Sequence, residues 1–176
     1  RKIMKNLRFF NSTELHIQKS VQSSSVHANG SALELRVQRY LESMGIPHIK
    51  GKSNGIDFII NGSVYLECKA QTVNGSICEK LPTCAFKYIE KYHLNGGDIY
   101  FLHPYSSINI ATAGHFELLE KVLNTKIHVL DWKDFTYLMN GGVFKERKPY
   151  RIGKDGGGNY APTNFKINEF FKFQNK

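Results

Sequence analysis

The chain has little cysteine and no long apolar run. Its three cysteines, Cys68, Cys78 and Cys84, are an odd number without CxxC spacing. That speaks against a disulfide framework or a zinc site and suits a reducing, intracellular setting. No stretch approaches the roughly 20 apolar residues that cross a bilayer, so no membrane partner is expected. The basic start, RKIMKNLRFFNSTELHIQKS, lacks the apolar h-region of a secretion signal. Seven histidines are scattered without paired metal spacing, and Gly156-Gly157-Gly158 is not followed by the Lys-Ser/Thr of a phosphate loop. His27, His48 and His103 read as ordinary loop or strand-end residues.

What is present is a net charge of +9, unevenly spread. Residues 1–21 hold Arg1, Lys2, Lys5, Arg8 and Lys19 against Glu14, and residues 143–176 hold eight Lys/Arg against three acids, while the middle balances. Basic flanks on a neutral core suit a polyanion partner. The charge pattern predicts a basic amino-terminal arm (1–28), a core (29–142) and a basic, aromatic carboxy-terminal extension (143–176).

Apolar spacing and turn residues predict the element order. Gln22–Ser25 and Asn29-Gly30 read as a loop. Ser31 then reads as the N-cap of a helix over about 31–44, with Glu34 at capping-box spacing. Gly45 ends that helix and Pro47 follows. Strands are expected at 46–50, in GIDFII, in SVYLECKA, in DIYFLHP and in KIHVLDW. Helices are expected from about Pro82 at the N1 position, in GHFELLEKVLN and in KDFTYLMN. The result is an α/β fold with a mixed sheet sandwiched by helices.

The chemistry sits in residues 55–71, GIDFIINGSVYLECKAQ. Asp57 interrupts one apolar strand; Glu67 and Lys69 interrupt the next. Charges are costly to bury, so they must pair or hold a metal. Side chains alternate along a strand, so Tyr65, Glu67, Lys69 and Gln71 share one face and Leu66, Cys68 and Ala70 the other. On the first strand Ile56, Phe58 and Ile60 are expected on the core face, opposite Asp57. A two-residue Asn61-Gly62 turn would set Asp57 against Leu66, on the wrong face. A three-residue loop, 61–63, sets Asp57 against Glu67. Two adjacent carboxylates repel unless a cation lies between them, and Mg²⁺ (Mn²⁺ as a substitute) suits hard oxygen ligands. Such an ion polarises a phosphodiester, and Lys69 beside it stabilises developing charge or orients water. Gln71 would contact phosphate or water. Cys68 points coreward, so only its backbone carbonyl is a candidate metal ligand. E-x-K recurs once, at Glu146-Arg147-Lys148, in a polar stretch without a strand-borne Asp.

Asn29-Gly30…Glu34, Gly55-Ile56-Asp57 and Glu67-Cys68-Lys69 together resemble the PD-(D/E)xK nuclease superfamily of restriction enzymes, some homing endonucleases and archaeal Holliday-junction resolvases. Ile56 stands where the eponymous Pro would be. The resemblance covers residue 29 to about 102. It implies a restriction-endonuclease-like core, Mg²⁺ held by Asp57 and Glu67, Lys69 assisting the nucleophile, and Glu34 approaching the site. The stretch Gly75-Ser76…Glu79-Lys80-Leu81-Pro82, followed by Phe86, Lys87 and Tyr88, is similar to a post-motif segment of restriction-type members. Lys80 and Lys87 are therefore expected at the nucleic acid.

In the extension, Lys145, Arg147, Lys148, Arg151 and Lys154 alternate with aromatics. Cations meet phosphates, and Arg147 and Arg151 are the better base readers because guanidinium pairs bidentately with guanine. Double-stranded DNA is the expected partner. Cutting both strands calls for two sites, hence a homodimer or higher symmetric oligomer. The reading is a Mg²⁺-dependent, sequence-specific endonuclease in a DNA-containing compartment. A junction resolvase and a non-catalytic DNA-binding module are the alternatives.

Overall fold

Leu33, Val37 and Leu41 recur at four-residue spacing and are fully buried, which places one stripe of the first helix on the core. The computed structural model describes residues 26–51, 55–69, 77–94, 97–103 and 107–152. Residues 1–25, Gln71 and Lys154, for which roles are expected above, lie outside that set, as does the extension beyond Ile152. Helix α1 spans Val26–Ser43. It begins a turn earlier than its turn-like residues suggest: Asn29-Gly30 and Ser31 lie inside it, so Ser31 is not the N-cap and Glu34 is not a capping residue. The local cost of Gly and Asn in a helix, ~1 kcal/mol, is within reach of tertiary packing. The far end matches expectation. Gly45 takes φ +64°; its N–H donates to the Glu42 carbonyl (3.1 Å) and that of Ile46 to Leu41 (2.9 Å), a Schellman closure.

Strands β1 (His48–Lys50), β2 (Phe58–Ile60) and β3 (Val64–Cys68) follow, then helix α2 (Ile77–Lys91), β4 (Asp98–Leu102), β5 (Ser107–Ile108), α3 (Ile110–Leu123), β6 (Lys126–Leu130), α4 (Trp132–Met139) and β7 (Arg151–Ile152). The main sheet runs β1-β2-β3-β4-β6. Its first three strands are antiparallel and the last two join in parallel. The α/β class and the mixed, helix-covered sheet are as expected. Among the described residues, no helix is long and apolar enough to cross a membrane.

Both faces of the sheet are covered. Phe58, Ile60, Leu66, Cys68, Tyr100 and Leu102 pack under α1 and α4. Ile99, Phe101 and Ile127, with Ile59 and Tyr65, pack under α2 and α3. Ile56 departs from the expected alternation: it is fully buried with the α2 and α3 residues, on the side opposite Phe58 and Ile60. Residues 55 and 56 lie outside the β2 pairing, so strand alternation does not govern them. Pro82 also departs, lying inside α2 rather than at its start. Only one helical hydrogen bond, to the residue four before it, is lost there. The short parallel pair β5-β7 carries no periodicity and was not expected. It lays the start of the basic extension on the core, where Tyr150 donates to the Ile127 carbonyl (2.9 Å) and Phe144 packs on His128 and Tyr137.

Candidate functional site

Whether the two acids meet depends on one loop. Ile60 pairs with Val64, Ile59 with Tyr65 and Phe58 with Leu66. This is the three-residue register, and one step further it sets Asp57 opposite Glu67. Asn61 (φ +51°) and Gly62 (φ +70°) turn the chain, and the Ser63 N–H closes on the Ile60 carbonyl at 3.1 Å. Both central residues thus have the positive φ of a type I′ hairpin. Ser63 is the odd residue that follows it.

The acids are locked to each other's backbone. Asp57 Oδ2 accepts the Cys68 N–H at 2.7 Å, and Glu67 Oε2 accepts the Asp57 N–H at 3.3 Å. Lys69 Nζ donates to Glu67 Oε1 at 2.5 Å. Glu67 is 3% exposed and the Lys69 side chain 30%, so the carboxylate is enclosed while its cation reaches water. The Lys69 N–H extends the parallel ladder to the Leu102 carbonyl (2.9 Å). The three groups therefore stand at the carboxyl end of β3, the end at which open α/β sheets bind ligands.

Burial, then the Glu67 charge, pushes the Asp57 carboxyl from 3.8 up to about 7. The Cys68 N–H and Lys69 pull the other way; Glu34 adds to the rise. Burial lowers Lys69, but the Glu67 charge and hydrogen bond outweigh it and raise it overall. Lys69 is thus an ammonium at neutral pH and cannot serve as a general base; its chemistry is charge stabilisation and water orientation. Burial pushes the Cys68 thiol up, and its side chain lies in the core under α1, as alternation requires.

The donor set fits a hard cation. Two carboxylates converge, one held far above its ordinary range by burial and then by the other's charge. Among the described residues no group of three His, Cys, Asp or Glu side chains converges. An ion here would rest on two carboxylates, completed by backbone oxygen, water or phosphate. That is the habit of Mg²⁺ rather than of zinc. Glu34 stands one layer back, 3.5 Å from Lys50, and reaches the site through its charge on Asp57.

Two groups not anticipated as site residues come from α2. Tyr88 donates to the Gly55 carbonyl (3.0 Å), and burial, then the Glu67 charge, push its phenol up. Cys84 is half-buried and feels Lys69 and Glu67. Helical spacing shows that Tyr88 faces inward; nothing in the sequence aims it at residue 55. His103 is a buried strand-end residue, brought down to about 4 by burial and so neutral.

The basic residues divide by role. Lys80 and Lys87 are exposed on α2. Arg147 Nε lies 2.8 Å from Glu120 and its guanidinium 3.9 Å over the Tyr150 ring, so it fastens the extension to α3. Lys148 pairs with Asp134, and the Lys145 carbonyl accepts from Lys126 Nζ at 3.1 Å. Arg151 is 61% exposed, with a loose 3.5 Å contact to Asp131. Cys68, Leu102 and Leu130 lie level across the sheet, so Asp131, which Arg151 contacts, stands at the acids' end, two strand spacings or roughly 10 Å from the end of β3. The groove of about 430 Å³ between α3 and the extension is lined by Ile110, Arg147 and Tyr150 among others and includes none of the three site residues.

No family model, curated protein or solved structure matches the chain.

Proposed function

We propose that the chain is a Mg²⁺-dependent DNA endonuclease, sequence-specific and restriction- or homing-like, on a restriction-endonuclease-like core. The observation that carries this reading is the convergence of Asp57, Glu67 and Lys69 at the carboxyl end of β3, through a loop with the required odd residue. Mg²⁺ when bound would polarise the phosphodiester and help form hydroxide. Asp57 and Glu67 hold it, with the Cys68 backbone carbonyl as a further candidate. Lys69 orients water and meets the charge developing on phosphorus. Glu34 tunes Asp57 through its charge. Lys80, Lys87 and Arg151 supply exposed cations for duplex phosphates, or in Arg151 a base reader. A second copy of the chain supplies the second cut.

The test uses supercoiled plasmid, linear duplex and a four-way junction, each with Mg²⁺ or EDTA, alongside Lys69→Ala and Glu67→Gln. Discrete, Mg²⁺-dependent fragments lost by at least ~10²-fold in both variants support the proposal. Junction-only cleavage would make it a resolvase. Binding without cleavage would make it a DNA-binding module and overturn the enzyme reading.

A further inference from the structure

The loop register sets Asp57 opposite Glu67, and the chain leaves strand geometry just before Asp57. Ile56 turns to the α2 side while Phe58 and Ile60 turn to the α1 side. Two phenols one helical turn apart hold that departure. Tyr88 donates to the Gly55 carbonyl at 3.0 Å, and Tyr92 accepts the Ile56 N–H at 3.2 Å. Tyr92 directly follows α2, its N–H still closing on the Tyr88 carbonyl at 3.0 Å, so the two phenols lie one turn apart and grip the two ends of a single peptide group, Gly55–Ile56, next to the acid. The grip is itself packed. Tyr88 is 5% exposed, its ring lies 6.3 Å from that of Tyr92, and Tyr65 of β3 closes on Tyr92 at 5.1 Å. On the opposite side the Gly51 N–H donates to the Asp57 carbonyl at 2.7 Å, and a side chain on Gly51 would collide with the Ile56 carbonyl.

We infer that Tyr88 and Tyr92 are positioning residues: they set the place of Asp57 against Glu67, and through it the affinity of the pair for a divalent cation. The second half of this inference rests on the nuclease reading; the first does not. Partners that orient metal ligands commonly contribute 10- to 100-fold in metal affinity.

The experiment compares the full chain with Tyr88→Phe, Tyr92→Phe and Tyr40→Phe. Each keeps its ring and loses one hydroxyl; that of Tyr40 accepts from Asn140, which follows α4. Two readouts are taken: hydrogen exchange of the Asp57 and Cys68 amides, which report the mutual lock, and Mn²⁺ binding by titration calorimetry. Tyr88→Phe and Tyr92→Phe should speed both amides and weaken Mn²⁺ about 10- to 100-fold, with Tyr40→Phe like wild type. Unchanged exchange in both Tyr88→Phe and Tyr92→Phe overturns the positioning role. Faster exchange with unchanged Mn²⁺ affinity overturns the link to metal. A wild-type chain that binds no Mn²⁺ overturns the nuclease reading instead, and the exchange data then still decide the positioning role.

Discussion

Asp57→Asn should make the protein more stable at neutral pH while abolishing the proposed cleavage. The Asp57 carboxyl is raised from 3.8 to about 7, first by burial and then by Glu67. Its folded-state value therefore lies above its unfolded value. The stability it contributes is complete below about pH 4 and is lost as pH rises through about 7. About three units at 1.36 kcal/mol each set a ceiling of ~4 kcal/mol. Solvent at the open edge of the site lowers this to ~2 kcal/mol. The Asn amide carries no charge, and its oxygen can still accept the Cys68 N–H. Thermal unfolding without divalent cations should show Asp57→Asn above wild type by ~4–8 °C at pH 8 for a chain of this size. The gap should close towards pH 4. Saturating Mg²⁺ should reverse the order: an ion at 100 times its Kd stabilises the wild type by ~2.7 kcal/mol and the variant far less. If Asp57→Asn were the less stable protein at pH 8, with a gap independent of pH, the site would not be a pair of carboxylates short of charge.

Three further outcomes follow from the geometry. Deleting Ser63 should leave cleavage intact and change stability by less than ~1 kcal/mol, because Asn61-Gly62 alone can form a two-residue type I′ loop that still pairs Ile60 with Val64; loss of activity in an otherwise folded deletion would show that Ser63 itself matters. Gly51→Ala should cost ~1–3 kcal/mol by overpacking and weaken cleavage by shifting residues 56–57, read by chemical denaturation and plasmid nicking; a neutral result would refute the close approach. Arg147→Ala should lower stability by ~1–2 kcal/mol as Glu120 and Tyr150 lose their partner, whereas Arg151→Ala should leave the melting temperature alone and reduce the salt dependence of duplex binding by about one phosphate contact, measured by fluorescence anisotropy across salt.

Much of the architecture is legible in the chain because it rests on local periodicity. The four-residue spacing of Leu33, Val37 and Leu41, the glycine at 45 and the alternation through β3 each act over a few residues. So the order of helices and strands, the coreward side of Cys68 and the shared face of Glu67 and Lys69 can be read directly. The loop argument goes further: Asn61-Gly62 permits two registers, and only the odd residue brings Asp57 to Glu67. Local preference was misleading at Asn29-Gly30-Ser31 and at Pro82, where packing of α1 and α2 overrides weak capping and turn signals.

Three residue identities and a period of two were enough to define the charged chemistry of this protein, since both are properties of the chain itself. Their assembly was a matter for the tertiary structure. The reversal of Ile56, the Tyr88 and Tyr92 phenols on the peptide before it, the close pass of Gly51 and the diversion of Arg147 to Glu120 join residues 5 to 36 positions apart. Contacts of that kind leave no period to read, because they depend on where whole elements pack rather than on which residue follows which.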